Sequence, residues 1–288
     1  MTETDIYQQL AHHLDHLPAG FPATESGVEL RILRRLFTPT EAQTALLLSM
    51  IPETVADIAA RTGQNAEQLA ALLESMSRKG LVFRTQRNGT LRYGANQFAV
   101  GIWEYQVNRL DEDLIRDVNE YLPHLIQKGW GRHSTKQLRV VPVAQSVSAE
   151  MTIMPYETAE TIIRKQEKIV VAPCICRKEH AMVGEGCGKL AEACLIFGTG
   201  ADYYEGNGLG RVIDHDEALQ ILDQAVTQGL VLQPGNAKKP SNICMCCGCC
   251  CQILKNIKAL EKPAHYIDSN WYAQVGEEDC TACGLCAE

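Results

Sequence analysis

The first 173 residues of this 288-residue chain contain no cysteine; all thirteen fall from Cys174 onward. An odd total cannot pair completely within one chain. The opening "MTETDIYQQLAHHLDHL" carries acids but no basic stretch before an apolar one, so it lacks the pattern of a secretory signal. The expected location is the cytoplasm, where thiols stay reduced and a disulfide framework does not form. Long hydrophobic runs are missing too. The best candidate, "ALLLSMI" (45–51), falls far short of the roughly 20 residues that a membrane helix needs. Positive charge is scarce: the net charge of −8 is spread along the chain, which leaves no broad basic surface for nucleic acid or anionic lipid. No Ser/His/Asp set has interpretable spacing, and no acid/base set marks an independent enzyme. What remains for so many thiols in one half of a chain is metal ligation.

The length allows two or three domains. Residues 1–26 read as an N-terminal helix and a loop, and 27–36 and 40–50 as helices by apolar spacing. In "TVADIAARTGQNAEQLAALLESMSRKGLVFRTQRNGTLRYG", a short helix meets a turn at Thr62-Gly63. Asn65 then opens a helix with Leu69, Leu72, Leu73 and Met76 on its buried face, and Gly80 closes it. A hairpin follows, turned at Asn88-Gly89. The spacing predicts a connector helix within 101–136, a strand at 137–145, and a helix then a strand delivering Cys174 and Cys176. Another helix–Gly–strand unit follows, with Gly229 at the helix end. "SRKGLVFRT" and "VTQGLVLQP" share that grammar without forming a repeat.

The cysteines fall into three sequence groups. "CTACGLCAE" holds Cys280, Cys283 and Cys286, three-quarters of the bacterial ferredoxin motif. Gly284 lets backbone N–H groups approach a cluster's sulfides, and "WYAQVGEEDC" reads as a short strand and acidic turn leading in. The fourth ligand would stand at residue 290; the chain stops at Glu288, so the expectation is a motif cut short. The second group, Cys174, Cys176, Cys187 and Cys194, supplies four thiols, enough for one [4Fe–4S] cluster or one zinc. Arg177 and Lys178 would offset cluster charge. The third, "CMCCGCCC" (244–251), packs six thiols into eight positions, more than one four-ligand site can use. Cys246, Cys247 and Cys250 are candidate ligands. Cys244, Cys249 and Cys251 are either packing thiols or part of an unusual cluster. "EGNGLGR" (205–211) follows no clear strand and reads as a loop. His12, His13 and His16 fall at the spacing of a solvated helix, Tyr203, Tyr204 and Trp271 read as packing residues, and Trp271 and Tyr272 are placed to shield a C-terminal cluster.

Residues 27–100 resemble the winged-helix domains of MarR-like regulators. "APCICR", "GCGKLAEACLIFGTGADYY", "NICMCCGCCC" and "DCTACGLCAE" together resemble a family of bacterial and archaeal 4Fe-4S proteins. These join a winged-helix segment to a cysteine-rich middle and a C-terminal dicluster ferredoxin domain. The resemblance implies an α+β fold: a winged-helix domain (27–100), a connector helix (101–136), a cysteine-rich iron–sulfur region of mixed α/β structure (137–268) and a truncated ferredoxin-type domain (269–288). It implies [4Fe–4S] clusters, a redox partner protein and electron transfer in anaerobic metabolism. Two alternatives stand beside it. One is a redox- or iron-sensing DNA-binding regulator, disfavoured because the recognition helix 65–79 balances Glu67 and Glu74 against Arg78 and Lys79, leaving only Arg84, Arg87 and Arg92 of the hairpin. The other is a zinc-based structural or assembly protein.

Overall fold

The computed structural model describes residues 5–143, 147, 157–276, 278 and 280–284. The chain is mixed α+β with two small antiparallel sheets.

The N-terminal half begins with α1 (Ile6–Asp15), α2 (Val28–Leu36) and α3 (Pro39–Ala45). Next come β1 (Glu53–Thr54), α4 (Val55–Thr62), α5 (Ala66–Arg78), β2 (Val82–Arg87) and β3 (Thr90–Ala95). Local chemistry sets these boundaries. Thr38 with Glu41 and Thr54 with Asp57 close reciprocal capping boxes at the starts of α3 and α4. Asn65 accepts from the N–H groups of Glu67 and Gln68 to open α5. Asn88 and Gly89 both take positive φ, the conformation of the tight turn joining β2 to β3. The sheet order is β1-β3-β2.

A single long connector helix was expected. Instead, α6 spans Glu112–His124, flanked by irregular turns at Phe98–Gln106 and Leu125–Arg132. Asp111 accounts for the late start, because its carboxylate accepts the Leu114 N–H and caps the helix there.

The C-terminal half runs α7 (Ala159–Arg164), β4 (Ile169–Pro173), α8 (Ile175–Met182), β5 (Glu192–Phe197) and α9 (Gly198–Gly206). It continues with β6 (Arg211–Ile213), α10 (His215–Thr227), β7 (Val231–Pro234), β8 (Asn242–Cys246) and α11 (Gln252–Lys258). Its antiparallel sheet has the order β6-β4-β5-β8-β7. The strand expected at 137–145 makes only isolated bridges at Leu138, Arg139 and Val141; positions 144 and 145 lie outside the described residues. Pro142 has no N–H to continue the pairing. "WYAQVG" (271–276) forms no strand either.

The shared helix–Gly–strand grammar has a common geometry. Gly80 and Gly229 are both left-handed, and the N–H groups of Leu81 and Leu230 reach back to the carbonyls of Met76 and Ala225, each at 2.9 Å.

The five-stranded sheet is buried on both faces. Ile169 and Val171 of β4 point into a core with α7 and α10, while Val170 and Ala172 point toward the N-terminal half. That second core is continuous with the N-terminal helices through Tyr203, Tyr204 and Ile175. Tyr203 is 1% exposed; its hydroxyl lies 2.9 Å from the Ser77 carbonyl and 3.1 Å from that of Val82. The two halves therefore share one core, and its floor is the sheet face that carries the cysteines. Among the described residues, no helix is long and apolar enough to cross a membrane.

Candidate metal centres

Strand alternation decides where "CMCCGCCC" sends its thiols. On β8, Ile243 and Met245 enter the α10-side core, which puts Cys244 and Cys246 on the opposite face. β5 pairs with β8 so that Cys194 stands directly across from Cys244. β4 ends at Pro173 and hands Cys174 to the N-cap of α8, with Cys176 in that helix's first turn. Cys251 is the N-cap of α11.

These six thiols close a ring. Going round it, each sulfur interacts with two others: Cys174 with Cys176, Cys176 with Cys251, Cys251 with Cys246, Cys246 with Cys244, Cys244 with Cys194, and Cys194 with Cys174. Cys174, Cys244 and Cys251 are held well below the ordinary thiol range, chiefly by S–H groups donated from both ring neighbours. Those donors, Cys176, Cys194 and Cys246, are pushed well above it. Position helps choose the thiolates. Cys174 and Cys251 begin helices, where the N–H groups of Arg177 and Leu254 favour negative charge.

All six line one cavity of about 60 Å³. By the same measure a water needs ~10–15 Å³, so the space exceeds that of a single water. Its roof comes from the N-terminal half: Ala99, Val100, Trp103, Glu104, Leu122, Leu125 and Ile126. Trp103 is 1% exposed, and its indole Nε1 has no hydrogen-bond partner. Glu104 accepts the Gly101 N–H at 2.6 Å; burial, reinforced by the nearby Cys244 and Cys174, raises its carboxyl to about 8.

A second group gathers beside the ring. Cys187, from the loop after α8, meets Cys247, Cys249 and Cys250 of the β8–α11 turn, with all four sulfurs within 4.8 Å of one another. Cys187 and Cys247 are 4.0 Å apart, Cys249 and Cys250 3.9 Å. A tetrahedral ion with metal–sulfur bonds of ~2.3 Å spaces its sulfurs by about 3.8 Å. This tetrad therefore has the dimensions of a single-ion site, and four thiolates in a tetrahedron suit zinc or iron. Burial opposes charge on Cys247, but the Cys250 N–H, the Cys249 thiol and Arg177 outweigh it and bring Cys247 down to about 7.

Ring and tetrad touch through the backbone. Cys246 belongs to the ring and Cys247 to the tetrad; Cys250 belongs to the tetrad and Cys251 to the ring. Arg177 sits between the groups. It is 6% exposed and is fixed by hydrogen bonds to the carbonyls of Leu190 (2.7 Å) and Met245 (2.6 Å). Burial works against its charge, yet Cys174, Cys247 and Cys246 together raise its pKa above the ordinary arginine value.

The upstream candidate ligands are thus all gathered but differently partnered. Cys187 leaves Cys174, Cys176 and Cys194 for the tetrad with Cys247 and Cys250, and Cys246 joins the ring. Of the three thiols left open as packing residues, Cys244 and Cys251 complete the ring and Cys249 the tetrad. Period-two spacing of Cys244 and Cys246 was the available signal. Cys280 and Cys283 are exposed and join neither group; Cys286 lies outside the described residues. Trp271 is tied back to Glu157 (3.2 Å) and Tyr272 is 86% exposed.

No protein-family model matches the chain, and neither a curated protein nor a solved structure matches it.

Proposed function

We propose that the chain is an iron–sulfur electron-transfer protein or the redox module of a larger assembly, with the six-thiol ring as its buried redox centre. The observation that carries this reading is the placement of six thiols around one cavity at the junction of the two halves. A site that only had to stabilise a fold needs four thiolates round one ion. A site that stores an electron gains from low dielectric, from excluded water and from a fixed positive charge nearby, all of which tune potential. The ring has burial in its cavity and a fixed positive charge in Arg177. The donor set fits the group: it is all-thiolate, and Trp103 offers an unpaired N–H beside it. An iron–sulfur cluster held there would supply one-electron transfer with no bond broken in the protein.

The rest of the chain is consistent with a carrier that feeds a partner. The tail cysteines Cys280, Cys283 and Cys286 keep the ferredoxin spacing, and Cys280 and Cys283 are exposed. The sheet β1-β3-β2 with α4 and α5 supports a winged-helix reading of residues 27–100, and the whole supports likeness to 4Fe-4S proteins of that layout. Within it, two of the cations a DNA reader would draw on are committed elsewhere. Arg84 pairs with Glu74, and Arg78 binds the Gly206 carbonyl at 2.6 Å. This favours a docked, structural role for α5 over a regulator.

The test is anoxic purification followed by iron, zinc and acid-labile sulfide analysis. Iron with sulfide, and visible absorbance that bleaches on dithionite, is the expected result. Stoichiometric zinc without sulfide would overturn the reading.

A further inference from the structure

The electron-transfer reading leaves open what kind of cluster the ring takes, and the following inference rests on that reading. We propose that the six ring thiols are terminal ligands of one iron–sulfide cluster larger than a four-iron cubane. Each tetrahedral iron at a cubane corner takes one cysteine thiolate, so four saturate it. The ring presents six, and none of them is a bystander by position. Every one lines the same cavity. Every one has two ring sulfurs as neighbours, whereas a packing thiol would face carbon. Their delivery is regular: one from the interior of β5, two from one face of β8, one from the end of β4, and two from the starts of α8 and α11.

The tetrad supplies the internal comparison. Its four sulfurs converge within 4.8 Å, as one ion requires, and among the described residues it is the one group of three or more that does so. The ring sulfurs instead line a cavity, and no three of them converge that closely. Thiolates that bridged a cluster of zinc or copper(I) ions would lie between the metals and draw together. An inorganic core of iron and sulfide fills a centre and leaves the thiolates at its rim. Thiols that ligate release their protons to solvent on loading. Trp103 lines the cavity and has an unpartnered indole N–H, a donor of the kind that suits a sulfide or thiolate sulfur.

The experiment is native mass spectrometry of the full chain after anoxic reconstitution with ferrous iron and sulfide. It is run on the unchanged chain and on Cys280→Ala/Cys283→Ala, which removes the tail's contribution. The tail variant should retain a core of more than four iron with accompanying sulfide, besides one tetrad ion. Single alanine variants at each of the six ring positions should all alter the reduced cluster's paramagnetic resonance signal. Cys249→Ala should lose only the tetrad ion. A core of four iron and four sulfide, with two ring variants matching the parent, would refute the six-ligand cluster and leave the electron-transfer reading standing. Zinc or copper with no sulfide would overturn both. Should a ring variant not fold, the core mass in the tail variant alone still decides.

Discussion

Arg177 and Cys247 carry the sharpest predictions at the scale of single residues. Arg177 is a buried cation between ring and tetrad, and a fixed positive charge stabilises the reduced, more negative state of a neighbouring centre. Arg177→Gln should therefore lower the ring's reduction potential by on the order of 60 mV, the one-electron equivalent of ~1.4 kcal/mol. Arg177→Lys should keep most of the potential. Both lose hydrogen bonds to Leu190 and Met245, so some loss of stability accompanies either, and the potential separates charge from packing. An unchanged potential in Arg177→Gln would contradict this placement. Cys247 sets a pH dependence. Its thiol is depressed from the ordinary value of 9.0 to about 7. The thiolate is thus complete in folded and unfolded chains above the unfolded value, and its contribution fades as pH falls through about 7. Burial and neighbouring thiols push Cys249 and Cys250 of the same tetrad up, and ligation needs every thiolate, so metal held by the tetrad should become steadily easier to strip as pH drops. Chelator competition across pH checks it; affinity that rose on acidification would oppose the assignment.

At the scale of elements, β8 shows what was and was not legible. Helices, caps and the two helix–Gly–strand units follow from local pattern, since Asn65, Gly80 and Gly229 act within a turn of themselves. The destination of each thiol does not. Sequence proximity groups Cys187 with Cys174, Cys176 and Cys194, but pairing of β5 with β8 carries Cys194 to Cys244, and the loop after α8 carries Cys187 to the other group. Such contacts are set by strand register, which linear spacing does not encode. The connector shows the same limit: apolar spacing continued past the point where Asp111 begins α6. The contact between α9 and α5 gives an element-scale prediction. Tyr203→Phe keeps the ring stacked near Phe83 and Tyr105 but gives up the hydroxyl's bond to the Ser77 and Val82 carbonyls, at a cost of about 1 kcal/mol. Tyr203→Ala should cost ~3–5 kcal/mol. Denaturant unfolding measures both, and equal costs would show that the aromatic ring contributes nothing there.

For the whole molecule, the arrangement explains why a cysteine-free half precedes a cysteine-rich one. The N-terminal helices roof the ring cavity while the sheet forms its floor, so the half without thiols keeps water from the half that has them. "CMCCGCCC" is dense because one short stretch serves two groups at once, with a single peptide between them at Cys246-Cys247 and again at Cys250-Cys251. The claim that the ring is a redox centre is tested most directly by a potentiometric titration of the anoxically prepared full chain, followed by paramagnetic resonance. The account predicts a reversible one-electron signal that persists in Cys283→Ala and is abolished or altered in Cys194→Ala. A signal that disappears with Cys283→Ala and ignores Cys194→Ala would place the redox chemistry in the tail and contradict it.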